Sequence, residues 1–383
     1  TVNSPSNEVY DGKEHKWSPA VADKEGNALV EGTDYEVAYS TEDFTNVTGT
    51  ITVTISGIGN YTGKVTRTYE ITPKAYTVTT ESAKKVYDGT ALTAGGKIEG
   101  IIDGEDVEFK VTGSQTNKGT SKNTYSLKWN GSAIETNYAL ASESIGDLKV
   151  TEQTIDPGED PEKPNPNYDG VTVNNPSKEV YDGKEHKWSP AVADKEGNAL
   201  VEGTDYEVAY STEDFTNVTG IITVTISGIG NYTGTVTRKY EITPKAYTVT
   251  TESANKVYDG TALTAGGKIE GIVDGEVVVV HTTGSQTDVG STPNTYELEW
   301  KKASSKNYKL KEDSIGTLTV TEQTINPGED PEKPNPNYNG VTINNPSNAV
   351  YDGKEHKWSP AVADKEGNAL VEGKDYTVEY STS

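Results

Sequence analysis

The chain has 383 residues, enough on length alone for two or three domains, and 59 acidic against 34 basic residues give it a formal net charge of −25. That balance disfavours nucleic acid and anionic membrane surfaces as partners, and favours solubility and repulsion between chains. There is no cysteine, which excludes a disulfide framework and thiolate chemistry, and no methionine, so the chain reads as part of a longer one.

In chain order, the first patterned stretch is "EVYDGKEHKW", Glu8–Trp17. Val and Tyr form strands, and Asp-Gly permits a positive φ in a tight turn. The words "VYDG" therefore predict the end of a unit's first strand and the turn leaving it. Tyr10 covers an edge of the core, with its hydroxyl reaching solvent or backbone. Period-two alternation then marks three strands. Tyr35, Val37 and Tyr39 share a face in "TDYEVAYS". Ile51, Val53 and Ile55 do so in "TGTITVTISG". Val65, Tyr69 and Ile71 do so in "KVTRTYEI". "IGNYTG" at 58–63 supplies the turn of a hairpin. In "YEITPKAYTVTT", 69–80, one strand ends and the next begins across Pro73, which predicts a stiff junction. A second "VYDG" follows at Val86–Gly89. A weakly patterned segment at 93–104 comes next, and a strand in "SIGDLKVTEQ" after it.

The whole pattern then repeats. Val173 aligns on Val2, an offset of 171, and only six of the first hundred aligned positions differ, among them Thr50/Ile221 and Lys64/Thr235. Within each long repeat lie two shorter units, named A and B here. The map is A at 1–74, B at 75–153, an acidic proline-rich linker at 154–170, A at 171–244, B at 245–323, a second linker at 324–340, and an incomplete A at 341–383. The linkers, "DPGEDPEKPNPN" and "NPGEDPEKPNPN", form neither a core nor a regular helix and read as extended, bendable spacers. Their prolines also splay apart the oxygens that a calcium site would need. The last A carries "VYDGKEHKW" but no hairpin, so its unpaired edges invite self-association.

The pattern predicts an all-β chain: a tandem, elongated array of small immunoglobulin-like β-sandwiches. The alternative is a β-grasp-like unit with one short helix at 93–104. No stretch of apolar residues is long enough to span a bilayer.

Catalytic and metal chemistry find little support. His15, His186 and His356 share one repeated position in "KEHKW" with no second ligand at metal spacing, and His281 stands where the first repeat has Lys110. No G-x-S-x-G elbow or phosphate-binding glycine loop is present. Asp11 and its counterparts read as turn residues rather than carboxylate catalysts. No catalytic residue, metal ligand or cofactor is nominated. The ligand-binding candidates are the repeated aromatics Trp17, Trp188 and Trp358, which could stack on sugars or a partner protein if exposed and otherwise plug their own cores. Trp129 and Trp300 repeat likewise in B. Sequons at Asn46, Asn60, Asn130, Asn217 and Asn231 follow from a Thr- and Asn-rich composition.

The A pattern, "YDGKEH…P.V.D.EGN.LVEGTDYEVAYS…TVTISGIGNYTG", resembles the MBG-type repeats of bacterial surface proteins. The B pattern, "KVYDGTALTAGGKIEG…NYKL…SIGTLTVT", resembles the YDG-type repeats of the same proteins. Together they cover nearly all of the chain outside the linkers. The resemblance implies a non-enzymatic, extracellular stalk of a bacterial cell-surface adhesin or fibre. Host glycan or protein would be bound by regions outside this sequence. The alternative is a multivalent module that binds such ligands itself. Small disulfide-free β domains of this kind are sometimes cross-linked through Lys and Asn side chains, though no pair is nominated here.

Overall fold

The computed structural model describes residues 1–381. Apart from single 3-10 turns at Glu135–Asn137 and Ser305–Asn307, every regular element among these residues is a β-strand. The chain divides into two compact bodies. The first comprises Thr1–Asn175, Pro190–Ala209 and Val224–Thr237; the second comprises Pro176–Ser189, Tyr210–Thr223 and the residues from Arg238 onward. Among the described residues, no helix is long and apolar enough to cross a membrane.

In the first body, the first A unit is built on β1 (Glu8–Val9), β2 (Tyr35–Tyr39), β3 (Thr50–Gly57) and β4 (Lys64–Thr72). They form one sheet in the order β1-β4-β3-β2, with β1 parallel to β4 and the other pairs antiparallel. The alternation decides which face is buried: Ile51, Val53, Ile55, Tyr69 and Ile71 are 0–4% exposed, while the threonines between them face outward. The irregular segment 10–34 covers the apolar face. It has few ladder partners, so its carbonyls need other donors. Tyrosine hydroxyls supply them: Tyr39 to the Trp17 carbonyl at 2.8 Å, Tyr69 to that of His15 at 2.9 Å, and Tyr35 to that of Pro19 at 3.4 Å. This is one physical reason for 23 tyrosines against 3 phenylalanines.

Only Pro73 separates β4 from β5 (Lys74–Thr80), so the chain passes from A to B with no slack, as "YEITPKAY" predicts. B continues with β6 (Ala83–Val86), β7 (Gly96–Glu99), β8 (Asp106–Val111), β9 (Gly119–Lys122), β10 (Tyr125–Asn130), β11 (Tyr138–Ser144) and β12 (Asp147–Thr151). The sheets are β11-β5-β7, β6-β12-β9 and the pair β10-β8, with β5/β11 and β6/β12 parallel. Val78, Leu148 and Val150, 0–2% exposed, mark the core. The segment 93–104 holds β7 and no helix, which removes the β-grasp alternative. "VYDG" follows B's second strand rather than its first, because β5 enters B directly from A. Where β12 begins, a Cβ on Gly146 would lie 2.3 Å from the Glu81 backbone, so only glycine fits there.

The second B unit repeats this arrangement strand for strand, with Val249, Leu318 and Val320 at 0–1% exposure. The fold is thus an all-β tandem array of small immunoglobulin-like β-sandwiches. The third A unit differs. Its described strands are Thr342–Ile343 and Val362–Ala363, and Tyr351 is 91% exposed where Tyr10 and Tyr181 are 3% exposed.

Candidate functional site: the junctions between units

The repeated "VYDG" is a device with two parts. Its aspartate closes a turn. Asp11 Oδ1 accepts the Lys13 backbone N–H at 3.0 Å and lies 2.7 Å from His15 Nε2, and Gly12 sits at φ 79°. The Lys13 N–H, then the imidazole, hold the Asp11 carboxyl below its ordinary range. In B, Asp88 accepts Lys85 Nζ at 2.6 Å and the Thr90 N–H at 2.9 Å. Lys85 first of all pulls its pKa down to about 2. Both carboxylates are committed to their own loops.

The tyrosine is the second part, and it faces the neighbouring unit. Tyr10 donates to Glu105 Oε1 at 2.5 Å and Tyr138 donates to Glu105 Oε2 at 2.7 Å, so one carboxylate of B clasps a tyrosine from each unit. The hydroxyl of Tyr10 thus reaches a carboxylate across the junction, not solvent or backbone. The two rings meet edge to face at 5.6 Å, and Trp129 stacks on Tyr138 at 5.1 Å. A second clasp lies alongside. Asn137, fully buried, accepts the Val47 N–H and donates to Asn46 Oδ1, both at 2.8 Å. The apolar cluster is continuous across the junction: Tyr138 belongs to the core cluster of the first A unit, with Ile101, Ile102 and Trp129 packed against it. In the second body Tyr181 and Tyr308 both donate to Glu276. Asn307 accepts the Val218 N–H at 2.9 Å and donates to Asn217 Oδ1 at 2.8 Å.

Burial, and then the bond to Glu105, push the Tyr10 phenol up to about 12, and burial raises Tyr138 as well. A raised pKa keeps each phenol a neutral donor, the opposite of what a nucleophile requires. It also sets a pH dependence. The folded state retains these protons above pH 10, where an unfolded tyrosine loses its own, so the stabilisation is complete below pH 10 and is lost as pH rises towards 12. Spectrophotometric titration at the tyrosinate band is expected to show a tyrosine class that ionises only with unfolding, on a shoulder removed by Tyr10→Phe.

The B-to-A junction is built differently. Gln153–Thr154 pairs in parallel with Tyr232–Thr233 of the second A unit, and Ile155, 0% exposed, donates its N–H to the Thr233 carbonyl at 2.9 Å. Tyr87, the "VYDG" tyrosine of B, meets Tyr232 edge to face at 5.5 Å, and the Lys118 N–H donates to Asn231 Oδ1 at 2.8 Å. The linker is consequently not the extended spacer that its composition suggests. Thr154 bridges to Tyr168, the Thr154 N–H reaches the Asn167 carbonyl at 3.1 Å, and the Asn165 N–H reaches that of Pro157 at 3.1 Å. Residues 156–167 form a loop with closed ends. The proline-rich composition correctly implies the lack of a core, but the strand partner of its flanks lies 79 residues away (Thr233 against Thr154) and leaves no local signal.

Trp17, Trp188 and Trp358 are half-buried, and Trp17 packs against the core cluster of its own A unit. Its backbone is held by the hydroxyls of Tyr39 and Tyr69, and among the described residues no ring stacking draws the three tryptophans together. The histidines join the aspartates of their own turns, and His281 lies 2.8 Å from Glu299. Among the described residues no three His, Asp or Glu side chains group as a metal site. The buried amides Asn123 and Asn294 donate to backbone carbonyls of their own B units. With Asn137 and Asn307 held by asparagine partners, the intact mass of the purified chain is expected to equal that of its unmodified sequence. A deficit of one ammonia per unit would show a Lys–Asn cross-link instead.

Glu105 and Asn137 were missed by sequence reasoning, yet a signal existed. Between the repeats "DGED" becomes "DGEV" and "IETNYAL" becomes "SSKNYKL", so the glutamate and the Asn-Tyr pair persist where their neighbours change.

No family model matches the chain. No curated protein matches it. Among solved structures it aligns with protocadherin gammaB7 EC3-6 at 9% identity, covering 84% of this chain and 99% of that one, TM-score 0.21. It aligns with the I9-I11 tandem of titin at 12%, covering 64% and 99%, TM-score 0.20. A third match is Drosophila N-cadherin EC1-4 at 8%, covering 84% and 100%, TM-score 0.20. Superposition at that level carries no inference about this chain.

Proposed function

We propose that the chain is a non-enzymatic stalk built of MBG-type and YDG-type repeats, part of an extracellular adhesin or fibre on a bacterial surface. Its task is to hold a binding region away from the cell. The observation that carries this reading is the use made of the best-repeated residues. Tyr10, Glu105, Asn137, Tyr138, Gln153 and Tyr232 are spent on joining one unit to the next, not on a concave site. In an array held by nearest-neighbour contacts, copy number sets reach.

The test is made in the native gene. Adding or deleting one 171-residue repeat should change the distance between the cell surface and an epitope tag beyond the array by a constant step, with ligand specificity unchanged. Loss of binding to a defined glycan or host protein in proportion to copies removed, with the head intact, would replace the stalk by a multivalent binding module.

A further inference from the structure

Three of the six substitutions in the first hundred aligned positions of the long repeat fall at one place on the second A unit. Asn7 becomes Lys178, Thr50 becomes Ile221 and Thr68 becomes Lys239. With Pro176 and Glu241, these three side chains line a groove of about 360 Å³. It lies on the sheet face turned away from the core. Ile222, Tyr240 and Ile242 are buried, and Ile221, Lys239 and Glu241, which alternate with them, are exposed. A B unit stands before and after this A unit in the chain, so the groove is not left by a missing neighbour.

The first A unit satisfies the same surface with its own polar groups. Thr50 Oγ1 donates to Glu70 Oε1 at 2.5 Å, and Asn7 Oδ1 accepts the Glu70 N–H at 2.9 Å. Isoleucine has no hydroxyl and lysine no acceptor, so the second unit gives up both bonds. Instead it leaves Ile221 67% exposed, and outside the third A unit no large apolar side chain among the described residues is as exposed. Lys178 and Lys239 are exposed as well, and among the described residues neither joins an ion pair. All three new side chains face solvent, so the changes add nothing to the core. An apolar centre between two unpaired cations has the composition of a docking patch, here in a chain of net charge −25. The chain also carries a complementary surface. The words "PGEDPEKPNPN" occur twice, at 157–167 and 327–337, and in the closed loop 156–167 Pro157, Glu159, Asp160, Pro161 and Glu162 are all exposed.

We propose that this groove docks the acidic, proline-rich loop of a second copy of this chain. The ammonium groups of Lys178 and Lys239 take the glutamates of the loop, Glu159 and Glu162 or Glu329 and Glu332. Ile221 packs on the proline between them, Pro161 or Pro331. Proline has already restricted the loop, so ordering it on the patch costs little entropy. Groove and loop are different surfaces, so the contact is heterologous. It is also short-ranged. At physiological ionic strength repulsion between the two chains is screened beyond about 8 Å, whereas charges in contact keep their attraction. The first A unit, with Asn7, Thr50 and Thr68 at these positions, has no such dock. The proposal goes beyond the stalk reading and does not depend on it.

The mass of the full chain is followed by sedimentation against concentration at physiological ionic strength. The expected result is a mean mass that rises above the 41.1 kDa of one chain. Lys178→Asn, Ile221→Thr and Lys239→Thr together restore the surface of the first A unit, which folds with those residues, and should weaken association about tenfold or more. Replacing Glu159, Glu162, Glu329 and Glu332 with glutamine should weaken it to a similar extent. A mixture of the two variants should associate again, because one keeps the loops and the other keeps the groove, and that recovery shows both to be folded. A chain monomeric at every concentration, association indifferent to either set of changes, or no recovery in the mixture overturns the proposal. Each of these outcomes leaves the stalk reading to its own test of repeat number.

Discussion

Replacing Asn137 with alanine is expected to split the thermal unfolding of the chain in two. The Asn137 side chain is fully buried between the first A and B units, where it accepts the Val47 N–H and donates to Asn46 Oδ1. Alanine removes both partners at once. An unsatisfied buried group costs about 1–3 kcal/mol, so the first A-B pair should lose about 3 kcal/mol. The second pair keeps Asn307 with the same bonds to Val218 and Asn217 and serves as an internal control. Calorimetry should resolve one component at the original temperature and one well below it. A single unshifted transition would mean that the asparagine clasp contributes nothing to the union of A with B. Asn137→Asp should fall on the same side, because a carboxylate cannot donate to Asn46 Oδ1.

The second expected result compares two glycines that sequence alone cannot distinguish. Gly63 and Gly234 occupy the same position in "NYTG" and have φ of 98° and 83°. Alanine at either costs about 1 kcal/mol for the left-handed backbone. Only at Gly234 does the new methyl strike the segment that leaves the preceding B unit, at Thr154 and Asp156. Gly234→Ala should therefore cost about 2–4 kcal/mol, expressed as opening of the B-to-A junction. Hydrogen exchange at the Ile155 amide should accelerate, and protease should cut within 156–167. Gly63→Ala should change neither. Equal effects at the two positions would show that Gln153–Ile155 does not bear on the second A unit in solution.

Much of the fold was legible because it is local. Ile51, Val53 and Ile55 alternate with threonine, and that period alone assigns both the strand and its buried face. "IGNYTG" specifies the turn between β3 and β4, and Pro73 between two strand patterns fixes a junction without slack. Near-identity at an offset of 171 determines the order of units before any contact is known. The tightness of the Asp-Gly turn followed from residue type as well, since an aspartate beside a glycine satisfies its own loop whatever lies around it.

What only the tertiary structure decided is what those elements meet. The hydroxyl of Tyr10 finds Glu105, ninety-five residues away, and Asn137 finds Val47 at a separation of ninety. Such pairs depend on how two cores abut, and no periodicity encodes that. The linker shows the same division. Its prolines and carboxylates correctly exclude a core, because they cannot bury enough apolar surface. Composition nevertheless made it a spacer, whereas pairing of Gln153–Thr154 with Tyr232–Thr233 draws the flanks into the junction and closes the loop. Sequence thus determined the units and their order. Long-range hydrogen bonding between unlike surfaces determined that the repeated "VYDG" is the place where one unit is held to the next.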